Sequence, residues 1–161
     1  MVRYMKPIRV RPMTSEDIPV IVDWVATIPL WQRYQLTAER AYAQFERALA
    51  RKEWLVVADL GQEDGICGFA WCLGNGAFGR SAYLRLIGVH PDYSGAGIGV
   101  TLLEQTEQFA LTVGDDLFLL VSDFNIDAQH FYQRQGYDQI GAIPGYVLPD
   151  VTELIYKKRL C

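Results

Sequence analysis

Three glycines alternate through Ser94-Gly95-Ala96-Gly97-Ile98-Gly99-Val100, just after an apolar run that ends in Val89-His90-Pro91 and just before apolar residues at helical spacing. Glycines so placed permit a tight turn with close approach of the backbone to a ligand. Such a turn aims several N–H groups, and the positive end of a helix dipole, at one small volume that favours an anion. No lysine follows the glycines, so the nucleoside-triphosphate loop is absent. The spacing also misses the Gly-x-Gly-x-x-Gly of dinucleotide folds. A diphosphate carried by some other cofactor remains.

Other residues able to do chemistry are dispersed. Cys67, Cys72 and Cys161 form an odd set without metal-site spacing, which predicts free thiols in a reducing compartment. His90 and His130 make no metal pair. Asp123 and Glu153 are candidate proton acceptors, and both read more simply as surface or turn residues. Trp31 and Tyr34, in a predicted loop over 28–36, either line a substrate mouth or seal the end of a core.

The elements that must position these residues follow from hydrophobic period and turn chemistry. Ile8 to Arg11 predicts an edge strand. Thr14 and Asp17 outline a capping box for a first helix with Ile18, Ile21, Val22 and Val25 on its apolar stripe, ended by Pro29. Thr37 caps a second helix whose buried face is marked by Tyr42, Phe45 and Leu49. Trp54 to Leu60 and Ile66 to Leu73 predict a hairpin across the polar turn 61–65, and Asn75, Gly76 and Gly79 mark the next turn. The strand Tyr83 to Val89 precedes the glycine turn, and a third helix runs from Ile98 past Leu102, Leu103 and Phe109. Leu117 to Val121 is apolar enough for a central strand. A short helix from Ala128 to Gln135 stops at Gly136, and Tyr137 to Ile143 and Thr152 to Lys158 close the chain as two strands. The sum is a mixed α/β sheet of about seven strands with about four helices.

Two motifs in this order resemble the GCN5-related N-acetyltransferase (GNAT) superfamily. The first is Val89-x-Pro91-x-Tyr93-x-Gly95-x-Gly97-Ile98-Gly99-x-x-Leu102-Leu103; the second is Asn125-x-x-Ala128-x-x-Phe131-Tyr132-x-x-x-Gly136-Tyr137. The resemblance implies a mostly antiparallel sheet with a splayed central parallel pair, and acetyl-coenzyme A as cosubstrate. It implies that backbone groups of Ser94, Gly95, Ala96, Gly97, Ile98, Gly99 and Val100 cradle the diphosphate. The N–H of Ile87 would polarise the thioester carbonyl, Gly88 would allow close approach, and Val89 would pair with pantetheine amides. Asn125 would hold the cofactor arm, unless it is only a helix cap, and Tyr132 would protonate the leaving thiolate. Two departures stand out. Ser94 replaces the usual Arg or Gln that opens the loop, and Arg85 stands where many relatives carry a glutamate base. Arg85 is either a solvent-facing strand residue or a receiver of substrate carboxylate or phosphate.

The remaining expectations are set by size and charge. A chain of 161 residues, half of them apolar, fits one domain over 1–161. Nineteen acidic residues outnumber fifteen basic ones, and no basic run interleaved with aromatics suggests a nucleic-acid groove. No signal-peptide core or membrane-length apolar segment is present, which predicts a cytoplasmic protein that engages no membrane. The reading is an N-acetyltransferase acting on a primary amine of a small molecule, amino acid or peptide N-terminus by direct attack in a ternary complex, with no metal. The alternative is a non-catalytic acyl-coenzyme A sensor or scaffold. Tyr146, Val147 and Leu148 are a candidate apolar patch for a homodimer.

Overall fold

The protein is described by a computed structural model covering residues 7–61 and 65–161. Residues 1–6, and the middle of the predicted 61–65 turn, lie outside the described residues. Seven strands are ordered β1-β2-β3-β4-β5-β7-β6. They are β1 (Arg9–Pro12), β2 (Trp54–Asp59), β3 (Ile66–Ala77), β4 (Ser81–Val89), β5 (Asp116–Ser122), β6 (Asp138–Pro144) and β7 (Thr152–Arg159). The helices are α1 (Ile18–Val25), α2 (Pro29–Arg33), α3 (Ala38–Ala50), α4 (Ile98–Leu111) and α5 (Ile126–Arg134). β4 and β5 are parallel, whereas β1–β2, β5–β7 and β6–β7 are antiparallel. The chain divides into two compact units, Met1–Trp71 with Leu86–Gln105 and Cys72–Arg85 with Thr106–Cys161.

In the first unit, the outlined capping box forms with Asp in the fourth position: the Thr14 N–H donates to Asp17 Oδ2 at 2.8 Å. Arg11 grips the same carboxylate with two N–H groups at 2.8 and 2.9 Å and reaches Asp59 with Nε at 3.1 Å. This ties β1, β2 and the start of α1 together. Burial alone would raise the Asp17 carboxyl, but Arg11 and the Thr14 donors hold it below its usual range.

Pro29 does not end the first helix. α1 stops at Val25, and Pro29 opens the extra helix α2, where its missing N–H would have been an orphan in any case. That helix buries Trp31, 5.8 Å from the Phe69 ring. In α3, Thr37 caps as predicted by accepting from the Arg40 N–H at 3.1 Å. The buried stripe, however, is Ala41, Phe45 and Ala48, and Tyr42 faces outward. Small alanines suit close packing of α3 on α1, with which it is in contact.

In the second unit, the predicted turn at Asn75 and Gly76 is instead strand. β3 runs on to Ala77, and Phe78 and Gly79, both at positive φ, make the hairpin turn closed by the Arg80 N–H on the Ala77 carbonyl at 3.0 Å. β5 is interior, as its apolar run requires, with Leu117, Leu119 and Val121 buried. The parallel ladder is short: Ala82, Tyr83 and Leu84 pair with Leu117, Phe118 and Leu119, while β4 continues to Val89 and β5 to Ser122.

Candidate active site

In the first unit the backbone from Ile87 to Val100 forms one continuous feature. The end of β4 is pinned to β3 by the His90 N–H, which donates to the Cys67 carbonyl at 2.8 Å. Pro91–Tyr93 then make one turn of 3-10 helix, capped by His90 Nδ1, which accepts from the Asp92 N–H at 3.1 Å. That bond, with ring contacts to Trp24 and Tyr93, makes His90 a structural residue of the turn. Gly95 and Gly97 follow at φ of 78° and 82°, the left-handed region that a side chain disfavours. The third glycine, Gly99, already belongs to α4.

The hydrogen-bond accounting of this loop shows what it can hold. Ser94 donates to Pro91, Ala96 to Tyr93 and Thr101 to Gly97. Among the described residues, the N–H groups of Gly95, Gly97, Ile98, Gly99 and Val100 meet no acceptor. The loop glycines are exposed, and nothing lies within 4 Å of where a Cβ would sit on Gly95 or Gly97. Unfilled donors at an open helix N-terminus fit an anion such as a diphosphate.

Two further glycines fix this loop in place. A Cβ on Gly68 would lie 2.9 Å from both the Gly88 carbonyl oxygen and Leu102 Cδ1, and 3.0 Å from Ile98 Cγ2. The missing side chain therefore seats the first turn of α4 on β3. Sequence reasoning passed over Gly68, although a glycine inside a strand is a signal of close approach. At Gly88 the neighbours are aromatic: Trp31, and Phe69 Cε1 at 2.6 Å from where a Cβ would lie. Gly88 thus makes room for core packing on its side-chain face.

In the second unit, Asn125 and Tyr132 sit on one helix two turns apart. Asn125 is the N-cap of α5, its Oδ1 accepting from the Ala128 N–H at 3.2 Å. Tyr132 is 7% exposed and packs edge-on against Phe131 and Tyr137, at 5.1 and 5.7 Å between centroids. Burial pushes its phenol well above the ordinary tyrosine range, so it is held protonated. A phenol in that state can give a proton to a thiolate. His130 is exposed on the same helix.

The two candidate carboxylates part company. Asp123 is exposed and structural: its N–H donates to the Thr152 carbonyl at 2.9 Å, and its Oδ2 accepts from the Thr152 N–H at 3.1 Å. Glu153, expected at the surface or in a turn, is 6% exposed within β7, opposite Ser122. Arg85 is exposed on β4. Cys67 and Cys72 are buried and Cys161 is exposed, all three as free thiols. Burial pushes the Cys72 thiol up to about 12, against the lowering effect of the Tyr83 backbone. Among the described residues no group of histidine, cysteine and acidic side chains is arranged to hold a metal, and no helix is long and apolar enough to cross a membrane.

A sequence model of the acetyltransferase (GNAT) family matches residues 19–137. No curated protein matches the chain. Among solved structures, a GNAT-family protein from Desulfovibrio desulfuricans is 21% identical and superposes with a TM-score of 0.79 over 96% of this chain and 100% of its own. An acetyltransferase from Thermus thermophilus is 20% identical, with a TM-score of 0.78 over 98% and 100% of the two chains. A Salmonella typhimurium structure, solved with its cofactor acetyl-CoA, is 13% identical, with a TM-score of 0.71 over 96% and 94%. At these identities the likeness to solved structures is one of fold.

Proposed function

The chain belongs to the acetyltransferase (GNAT) family, and from that premise we propose that it transfers the acetyl group of acetyl-coenzyme A to a primary amine by direct attack in a ternary complex. The observation that carries this reading is the row of N–H groups at Gly95, Gly97, Ile98, Gly99 and Val100 that meet no acceptor among the described residues. Those donors, with Ser94 and Ala96 shaping the loop, bind the diphosphate of the cosubstrate. The cosubstrate supplies the activated thioester.

The chain's own residues do the rest. Backbone groups of Gly88 and Val89 align the pantetheine arm, with Asn125 steadying it beyond β5. The N–H of Ile87 stabilises the negative charge that builds on the thioester oxygen as the amine attacks. Tyr132 donates its phenolic proton to the departing sulfur. None of the three cysteines is suited to carry the acetyl group. Two are buried, and the third bonds to Asp115 just before β5, at the opposite end of that strand from Asn125. This favours direct transfer over a covalent relay.

Calorimetry with acetyl-coenzyme A and coenzyme A, followed by a thiol-release screen over amines, amino acids and short peptides, tests the proposal. Binding with release of free thiol is the expected result. Absence of binding removes the loop's assigned role, and binding without turnover across the panel favours a sensor over an enzyme.

A further inference from the structure

Within the first unit, the chain enters the glycine loop through His90, the residue that follows β4. Its backbone N–H is fixed to the Cys67 carbonyl, and its ring Nδ1 accepts the Asp92 N–H two residues ahead, at 3.1 Å. An Asn or Asp side chain builds an Asx-turn by the same bond. A ring nitrogen that accepts carries no hydrogen, so this imidazole is neutral, with its proton on Nε2. The turn beyond it is a succession of short bonds: Tyr93 N–H on the His90 carbonyl at 2.9 Å, Ser94 on Pro91 at 3.3 Å and Ala96 on Tyr93 at 3.2 Å. Gly95 and Gly97 are held among them.

The surroundings of the ring would accommodate a second proton. Asp92 Oδ2 lies 3.9 Å from Nδ1, and the imidazole side chain is 27% exposed, so water reaches it. Trp24 of α1 and Tyr93 lie 5.5 and 5.7 Å from the ring centroid. A carboxylate favours an imidazolium beside it, and so does an indole face. Asp23, the one ionisable residue of α1, is exposed, and the buried Cys67 thiol donates to the Ala58 carbonyl at 3.4 Å. No lysine or arginine stands on α1, on β3 or in the turn Pro91–Tyr93.

We infer that His90 is a positioning residue for the glycine loop and acts only in its neutral form, so that affinity for acetyl-coenzyme A falls as pH drops through the range where imidazoles titrate. The inference rests on the reading of the loop as the diphosphate site. In acid, Nδ1 takes a proton from solvent, the Asp92 N–H loses its acceptor, and the new ring N–H turns to the Asp92 carboxylate. The turn then lacks its cap, while the anchor to Cys67 stays. Attraction between the imidazolium and a diphosphate works in the opposite direction, so a gain of affinity in acid would mean that charge, and not the cap, governs the loop.

The test is calorimetric affinity for coenzyme A and acetyl-coenzyme A from about pH 8 down to about pH 5.5, in the wild type, His90→Asn and His90→Ala. Asn offers an acceptor that does not titrate in this range; Ala offers none. At the alkaline end His90→Ala is expected to bind about threefold to fivefold more weakly than the wild type, and His90→Asn to restore the affinity. At the acid end the wild type falls towards His90→Ala, while His90→Asn keeps its advantage. Ionisation of the ligand's own phosphate acts on all three proteins and cancels in the ratios. Melting temperatures at each pH confirm folding, and each comparison decides by itself: the ratio to Ala closes in acid and the ratio to Asn opens. Ratios constant with pH, or wild-type binding that tightens in acid relative to His90→Asn, overturn the inference and leave the loop's role standing. Absence of binding in all three at every pH overturns the diphosphate reading as well.

Discussion

The ring of Trp31 occupies the space that a side chain on Gly88 would need, and Phe69 crowds the same position. The strand that leads into the glycine loop is thus held by an aromatic from α2, the helix that Pro29 begins. Gly88→Ala is expected to destabilise the protein by about 1–3 kcal/mol through overpacking. Trp31→Leu in the same chain should recover part of that loss. A double-mutant cycle by denaturant unfolding measures the coupling, and simple additivity would show that the two residues do not compete for one space.

The loop glycines separate backbone conformation from crowding. Gly95→Ala and Gly97→Ala add a Cβ where nothing lies within 4 Å, so their effect comes from the positive φ alone. Each should cost about 1 kcal/mol of loop geometry. The readout is a weaker affinity for coenzyme A, roughly fivefold, with KM for the amine unchanged. Gly68→Ala should also weaken coenzyme A binding, because it unseats the first turn of α4, and unlike the loop variants it should lower the melting temperature.

Tyr132→Phe keeps the packing and removes the proton donor. The expected loss is about a hundredfold or more in kcat, with calorimetric binding of acetyl-coenzyme A retained. Because burial holds this phenol protonated far into the alkaline range, the wild-type rate should show no falling limb from Tyr132 below about pH 10. An unchanged kcat in the phenylalanine variant would remove Tyr132 from the mechanism.

Arg11→Gln leaves the nearly buried Asp17 carboxylate short of its cation. A loss of about 2–3 kcal/mol follows at neutral pH. The folded carboxyl titrates below its unfolded value of about 4, so its contribution is complete above that pH and disappears as pH falls through the folded value. The melting temperatures of wild type and Arg11→Gln should therefore converge in acid. A gap that stays constant from about pH 7 to about pH 3 would contradict this origin.

Thiol labelling reads the cysteines directly. In the native protein a disulfide reagent should label Cys161 alone, and slowly, because its hydrogen bond to the Asp115 carboxylate raises the thiol. Denaturation should expose all three. Rapid native labelling of Cys67 or Cys72 would mean that β3 opens far more readily than its burial implies.

Much of the architecture was legible because several independent constraints agreed. Alternate glycines after a β-strand and before an apolar helical stripe admit few backbones, so the strand, the loop and the helix could be read from residues 83–103. The strand count followed from period and turn chemistry. The misreadings share a cause: one residue with two permitted roles. Pro29 can stop a helix or start one, and what lay downstream, an anchor for Trp31, decided it. Tyr42 reads as a core residue of α3, yet tight helix packing selected the alanines on either side of Phe45. Asn75-Gly76 reads as a turn, while Phe78 at positive φ gives no turn signal at all. Glu153 reads as a surface residue because a lone carboxylate in a terminal strand usually is one; its burial depends on neighbours that are distant in sequence.

The Gly145 N–H on the Val151 carbonyl at 3.0 Å closes the base of the segment that joins β6 to β7, and the paired hydrogen bonds between Asp123 and Thr152 tie the end of β5 to the start of β7. With the strands secured at that point, the intervening stretch through Tyr146 behaves as an interchangeable cassette. Its length and composition can drift, or be exchanged by design, without re-registering the sheet.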